Sequence, residues 1–132
     1  MRFARILVPT DFSTGAAKAA AVALALAAAV GGAIDLVYAF TPPVIFLPEG
    51  SVYPTTPEQL LQASERADAA IAEALAALDA HAGGVHVEAH TLLGSAADEI
   101  IRLANSGRHD VVVMGTHGRS GPSRLLLGSG AE

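Results

Sequence analysis

Glycines and a serine hydroxyl follow an apolar run near the end of the sequence. The apolar run is residues 111–114, and Gly115, Gly118, Gly128 and Ser129 come after it. Glycine lets the backbone approach a ligand closely, and free backbone N–H groups in such a loop suit an anion, most often a phosphate. The stretch therefore predicts phosphate binding, with plain turn formation as the alternative that its glycines leave open.

The spacing of these glycines differs from that of two common phosphate-binding motifs. A Walker A loop needs Gly-Lys-Ser or Gly-Lys-Thr, which occurs nowhere in the sequence. A dinucleotide fingerprint has another glycine spacing, and it follows the first strand of its unit rather than the fourth predicted strand. The pattern Gly-x-x-Gly, nine residues, Gly-Ser is a different kind of candidate loop.

The sequence contains no evident combination of nucleophile, base and acid. The absence of cysteine excludes disulfides, thiolate metal ligands and a cysteine nucleophile. Ser13, Ser120 and Ser129 have no histidine partner that the sequence identifies. Metal-ligand spacing occurs only in His86-x-Glu88-x-His90, which we interpret as the solvated face of an edge strand. We assign no catalytic residue and no metal ligand, and we favour a binding module over an efficient enzyme.

Composition limits the class of protein. The chain has 132 residues, of which 52% are hydrophobic and 16% are charged, so we expect one folded domain over residues 1–132. The formal net charge of −5 argues against nucleic acid or an anionic membrane as partner. The most apolar window, residues 19–34, is short for a membrane span, and the N-terminus does not resemble a signal peptide.

Strands and helices alternate along the sequence, which predicts an α/β fold with a parallel sheet and right-handed crossovers. The predicted strands are residues 6–9, 33–40, 85–92 and 111–114, and the predicted helices are residues 14–30, 57–82 and 96–106. Residues 41–56, rich in proline, predict a long irregular loop that is either a lid or partner surface or a plain connection.

The polar residues that could bind a ligand follow two of the predicted strands. Pro9, Thr10 and Asp11 end the first strand, and Gly115 ends the fourth. Ligands of parallel sheets bind at the carboxyl ends of strands, where the strand order reverses. We therefore expect these two strands to be neighbours across that point.

These motifs together closely resemble the universal stress protein family. The resemblance is carried by ILVPTDFS at 6–13, a Gly-Ser pair after the third strand, and VVVMGTHGRSGPSRLLLGS at 111–129, and it covers nearly the whole chain. The ATP-binding branch of the family carries Gly-2x-Gly-9x-Gly-Ser/Thr, which residues 115–129 match at every defined position. The resemblance implies a Rossmann-like three-layer sandwich with strand order 3-2-1-4-5. It also implies a cytoplasmic, usually homodimeric stress-response protein that binds ATP and at most hydrolyses it slowly.

The resemblance implies site residues by position. Asp11, in the turn with Pro9 and Thr10, would accept hydrogen bonds from the ribose hydroxyls, or else only stabilise the start of the following helix. The backbone of Ala39 would contact adenine. Met114 would flank the base, although core packing explains this residue equally well.

The resemblance assigns the phosphates to the glycine loop. The residues implied are Gly115, Gly118, Gly128 and Ser129. Arg119 and Arg124 could each add a phosphate contact, although a solvated arginine is the favoured interpretation for both, and we expect His117 to face water. Mg²⁺ would normally accompany the ATP.

Two other functions stay open. One is a nucleotide-independent stress protein that acts through protein contacts, against which Asp11 and the glycine pattern argue. The other is an adenine-nucleotide hydrolase of a related group. That group uses a glycine-rich loop after the first strand, whereas residues 9–13 contain no glycine.

The end of the sequence departs from the family pattern. Family members continue beyond the Gly-Ser pair with a fourth helix and a fifth strand, whereas this sequence stops at Glu132. We therefore expect a C-terminally incomplete domain, with residues 111–114 as a bare apolar sheet edge. The family's homodimer interface is in doubt for the same reason.

Overall fold

The computed structural model describes residues 5–42, 44–115 and 124–127. A parallel four-stranded sheet flanked by helices confirms the predicted α/β class. In chain order the elements are β1 (Arg5–Pro9), α1 (Thr14–Val30), β2 (Ala33–Phe40), β3 (Ile45–Phe46), β4 (Val52–Tyr53), α2 (Pro57–Asp79), β5 (Val87–Leu93), α3 (Ala96–Ala104), β6 (Val111–Met114) and β7 (Arg124–Leu127).

The main sheet has the strand order β5-β2-β1-β6-β7. The pairs β1–β2, β1–β6 and β2–β5 are parallel, as βαβ crossovers require. The four parallel strands follow the order implied by the family resemblance. β1 and β6 are neighbours, as the turn residues at their carboxyl ends predicted.

β7 corrects an expectation about the end of the sequence. It pairs antiparallel with β6, Met114 beside Arg124 and Val111 beside Leu127. Residues 111–114 are therefore not the bare edge that was expected. The backbone N–H and C=O groups of β7 pair with the side of β6 that would otherwise be unpaired.

The two faces of the sheet are covered differently. One face packs against α1 and α2 in a large cluster that includes Ile6, Ile34 and Val111, all fully buried. The other face carries a smaller cluster of Leu7, Val37 and Val112, on which Leu103 of α3 packs. Because helices cover both faces of the sheet, the central strands are continuous runs of apolar residues.

Local signals in the sequence set the helix starts. The Ser13 hydroxyl accepts a hydrogen bond from the Ala16 N–H at 3.1 Å and caps α1. Thr56 and Gln59 form a reciprocal capping box at the start of α2. The helix ends are less accurately predicted: α2 ends at Asp79 instead of Ala82, because residues 80–82 continue as a turn with shorter-range hydrogen bonds.

The proline-rich segment is more ordered than the sequence predicted. Within residues 41–56, β3 and β4 form a small antiparallel hairpin, with Ile45 beside Tyr53 and Phe46 beside Val52. The Gly50 N–H donates to the Leu47 carbonyl at 2.9 Å and closes its turn. No helix among the described residues combines the length and the apolar character that crossing a bilayer requires.

Candidate functional site

The carboxyl ends of β2, β1 and β6 lie side by side, and several predicted site residues lie together at these strand ends. Pro9 is buried at the end of β1, and the Thr10 N–H donates to the Val37 carbonyl of β2 at 2.8 Å. Ala39, half-buried, lies near the end of β2. Gly115 follows β6 on the other side of β1. The chain passes from β1 to β2 on one side and from β6 to β7 on the other, which makes this the point at which α/β proteins bind ligands.

Asp11 is exposed and held in a tight turn before α1. One carboxylate oxygen, Oδ1, accepts a hydrogen bond from the Ser13 N–H at 2.9 Å. Hydrogen bonding to the Ser13 side chain is the largest influence on the carboxyl, and it lowers the pKa of Asp11 against an opposing effect of burial. The carboxylate of Asp11 is therefore oriented by the turn that precedes α1. Hydrogen bonds from ribose hydroxyls would use its remaining lone pairs.

Phe12 has a backbone conformation that the sequence did not indicate. Its φ of 65° lies in the left-handed region, which costs free energy for a residue with a bulky side chain. The ring lies 4.5 Å from the Tyr38 ring, centroid to centroid, and Phe12 remains 40% exposed. Tyr38 in turn stacks on Phe40 at 6.1 Å. A row of aromatic rings thus begins directly beside Asp11.

Gly115 passes close to the first turn of α1. A Cβ atom at this position would meet the Gly15 carbonyl carbon at 2.7 Å and the Ala16 nitrogen at 3.1 Å. The close approach accounts for glycine at position 115 without any ligand. It also places the carboxyl end of β6 against the N-terminus of α1, where Thr14 and Gly15 have backbone N–H groups with no intrahelical partner.

Met114 belongs to the core on the α3 face. The side chain is half-buried and packs against the cluster formed by Leu7, Val37 and Val112. Core packing, the alternative offered by the sequence, therefore accounts for this residue. Its neighbour across the sheet is Arg124, the first residue of β7.

The rest of the predicted phosphate loop lies outside the described residues. This group comprises Gly118, Arg119, Gly128 and Ser129, together with His117. Their assignment to phosphate stays a prediction. Of residues 115–129, the structure describes Gly115 and the strand β7.

A cleft of about 980 Å³ adjoins the site between α1 and α2. Thr10, Phe12 and Ser13 form its end at the strand termini. The walls are largely alanine: Ala17, Ala21 and Ala28 from α1, and Ala70, Ala74 and Ala77 from α2. The lining is largely apolar and includes Glu73 and His81 as its titratable residues, so the cleft suits an apolar group better than a phosphate.

Comparison with known proteins gives a consistent result. Residues 2–132 match the family model described as "Universal stress protein family". The protein "Universal stress protein in QAH/OAS sulfhydrylase 3'region" of Thermus aquaticus is 36% identical over 130 residues, which are 98% of this chain and 89% of that protein.

Solved structures have the same fold. A universal stress family protein from Burkholderia pseudomallei superposes with a TM-score of 0.66 at 26% identity, covering 87% of this chain and 83% of that one. A universal stress protein solved in complex with cAMP superposes with a TM-score of 0.62 at 20% identity, covering 85% and 72%. The second likeness is one of fold alone.

Proposed function

This chain belongs to the universal stress protein family, and we propose that it binds an adenine nucleotide, ATP above all, as a stress-response module. One observation carries the proposal: Thr10-Asp11, Ala39 and Gly115 converge at the sheet edge where the strand order reverses. The solved relative in complex with cAMP binds a nucleotide with the same base. The ligand proposed here therefore shares a chemical class with one bound elsewhere on this fold.

The nucleoside part would lie along the ends of β1 and β2. Asp11 accepts from the ribose hydroxyls, because the Ser13 N–H already fixes Oδ1 and orients the carboxylate. The lowered pKa of Asp11 keeps it an acceptor at neutral pH. Adenine meets the Ala39 backbone, and the exposed Phe12 ring offers an apolar face nearby.

The phosphates would lie between the start of α1 and the loop after β6. The N–H groups of the first helical turn and the helix dipole favour an anion there. Gly115 lets the loop approach that turn. The loop residues proposed to complete the site are Gly118, Arg119, Gly128 and Ser129, with Mg²⁺ on the phosphates. β7 ends with Leu127 beside Val111, at the amino end of β6, so contacts from Gly128 and Ser129 would require the chain to return to the carboxyl ends of the strands.

Isothermal titration calorimetry with Mg·ATP, ADP, cAMP and GTP tests the proposal. We expect ATP to bind, and we expect Asp11→Ala to weaken binding by roughly tenfold, since a hydrogen bond to a charged group is lost. Asp98→Ala, an exposed carboxylate on α3, is the matched control and should leave affinity unchanged. A folded chain that binds none of these nucleotides contradicts the proposal, as does equal ATP affinity in Asp11→Ala.

A second candidate function is action through protein contacts alone. The hairpin of β3 and β4 favours it, because Phe46 is 75% exposed and Tyr53 is 57% exposed. Exposed apolar side chains of this kind mark partner surfaces. Partner binding that is unaffected by ATP and lost in Phe46→Ser would support this candidate over the first.

A further inference from the structure

A buried aspartate lies in the middle of the sheet, on the face that α3 covers. Asp35 of β2 is only 6% exposed. Its Oδ2 atom receives a hydrogen bond from Arg5 Nη2 at 2.7 Å and lies 2.7 Å from His109 Nε2. Two cationic or donor groups therefore fix the carboxylate through one oxygen and leave the other oxygen free.

The other oxygen, Oδ1, is buried without a hydrogen-bond partner among the described residues. His90 Nε2 lies 3.7 Å away, which is too far for a hydrogen bond. A buried acceptor without a partner is costly, and such atoms are rare in folded proteins. This free oxygen is the observation that separates the cluster from an ordinary solvated strand face.

The register of β2 and β5 brings two more ligand atoms to the same place. Asp35 pairs with Glu88 and Val37 pairs with His90, so Glu88 and His90 stand on the face that carries Asp35. Glu88 Oε1 lies 4.0 Å from His90 Nε2. One ligand atom from each of the three residues lies within 4.8 Å of the other two.

We propose that Asp35 Oδ1, Glu88 and His90 bind a divalent transition-metal ion, Zn²⁺ being the best match. Two carboxylate oxygens and an imidazole nitrogen form a borderline donor set, whereas Mg²⁺ and Ca²⁺ prefer oxygen alone. His86 lies beside these residues, with its Nε2 atom 2.8 Å from Glu88 Oε2.

The distances fit an ion with small side-chain adjustments. Ligand atoms around a tetrahedral Zn²⁺ lie roughly 3.4 Å apart, given zinc–oxygen and zinc–nitrogen bonds of about 2.1 Å. The separations of 3.7 Å and 4.0 Å must therefore shorten slightly. Glu88 and His90 have side chains that are 47% and 48% exposed and have room to adjust, while Arg5 and His109 hold Asp35 in place.

The charges of the surrounding groups also suit a cation. Asp35 and Glu88 carry two negative charges and Arg5 carries one positive charge, which leaves one negative charge when the histidines are neutral. The histidines that face the cluster are His86, His90 and His109. Arg5 and His109 both contact Oδ2, so neither blocks the free lone pairs of Oδ1.

The proposed metal site is distinct from the proposed nucleotide site at the carboxyl ends of the strands. Asp35 precedes Ala39 by four residues along β2, a distance of roughly 13 Å in an extended strand. Loss of one site therefore need not affect the other.

Tag-free protein, titrated with Zn²⁺ by calorimetry and with Co²⁺ by visible absorption at pH 7.5, tests the proposal. We expect one equivalent of Zn²⁺ to bind and Co²⁺ to give absorption bands of a low-coordinate site. Glu88→Gln and His90→Gln should each weaken binding by roughly tenfold or more, since each removes a metal ligand. His81→Gln, an exposed histidine after α2, is the control and should bind as the parent chain does.

Both ligand variants change half-exposed side chains, so their folding can be checked by circular dichroism and their ATP affinity measured in parallel. Absence of Zn²⁺ binding by the folded parent chain overturns the proposal. Binding that is unchanged in both His90→Gln and Glu88→Gln, or that is lost in His81→Gln, overturns it equally.

Discussion

Gly115 and Gly15 approach each other so closely that a methyl group on residue 115 would lie 2.7 Å from the Gly15 carbonyl carbon. The contact joins the end of β6 to the first turn of α1. The two sides of the proposed phosphate site are thereby held together before any ligand is bound.

Gly115→Ala should destabilise the chain, because the new methyl group meets backbone atoms that cannot move aside. Overpacking of this kind costs about 1–3 kcal/mol. Gly31→Ala is the comparison: Gly31 has a φ of 74°, but a Cβ atom there would meet nothing within 4 Å. Urea denaturation should show the greater loss for Gly115→Ala. A smaller loss than in Gly31→Ala would mean that the close approach is absent.

The Ser13 cap should contribute measurably to stability. Ser13→Ala removes the hydroxyl that accepts from the Ala16 N–H, and loss of such a cap costs about 1 kcal/mol. Ser95 precedes α3 but makes no side-chain cap hydrogen bond, so Ser95→Ala should cost less. Chemical denaturation of both variants provides the measurement, and equal costs would contradict the assigned role of Ser13.

Substitutions of Phe12 separate its backbone strain from its ring contacts. Phe12→Ala and Phe12→Gly both remove the ring that packs on Tyr38. Only glycine adopts a φ of 65° without steric cost, so Phe12→Gly should be the more stable variant by about 1 kcal/mol. The order would be reversed if the left-handed conformation did not occur in solution. Denaturation midpoints in urea decide between the two orders.

Asp35 should make stability depend on acid pH. Burial raises the pKa of Asp35, but the hydrogen bonds and charges of Arg5 and His109 outweigh it, and the net shift is below the ordinary value of 3.8. A lowered folded-state pKa gives stability that is present above pH 3.8 and is lost as the pH falls through the folded-state pKa.

The free energy of unfolding, measured in urea from pH 7 to pH 3, tests this dependence. Asp35→Asn should be less stable than the parent chain at pH 7, because Arg5 loses its charged partner. The difference in the free energy of unfolding between the parent chain and Asp35→Asn should narrow towards pH 3. A constant difference over that range would show that Asp35 does not titrate as described.

The hairpin of β3 and β4 should tolerate loss of its aromatic side chain. Phe46 is 75% exposed, so Phe46→Ala should change the free energy of unfolding by less than about 0.5 kcal/mol. Phe40→Ala, at a half-buried position of β2 that stacks on Tyr38, should cost more. A large loss in Phe46→Ala would mean that the hairpin packs against the domain.

Periodicity and caps predicted the regular elements well. The bounds of α1, β2 and β6 are confirmed, because Ser13, two glycines and continuous apolar runs mark them directly in the sequence. The hairpin strands and β7 were missed. Each is at most four residues long and is defined by its pairing partner, so no periodic signal of its own is present.

Parallel topology predicted the position of the candidate site but not its contacts. Asp11 and Gly115 follow neighbouring strands, as expected from the alternation of elements. The left-handed Phe12 and the approach of Gly15 are tertiary features without a local signature. Asp35 does have a sequence signal, because it is a lone carboxylate inside the apolar strand AIDLVYAF, where a charge must find partners.

The strand β5 forms the outer edge of the sheet on the side opposite β7. An open edge invites backbone pairing with the sheet of another molecule, and charged side chains discourage it. The charge of Glu88 on β5 thus discourages such pairing, and the same side chain faces Asp35. A cation bound at Glu88 would therefore also change how readily two molecules join edge to edge.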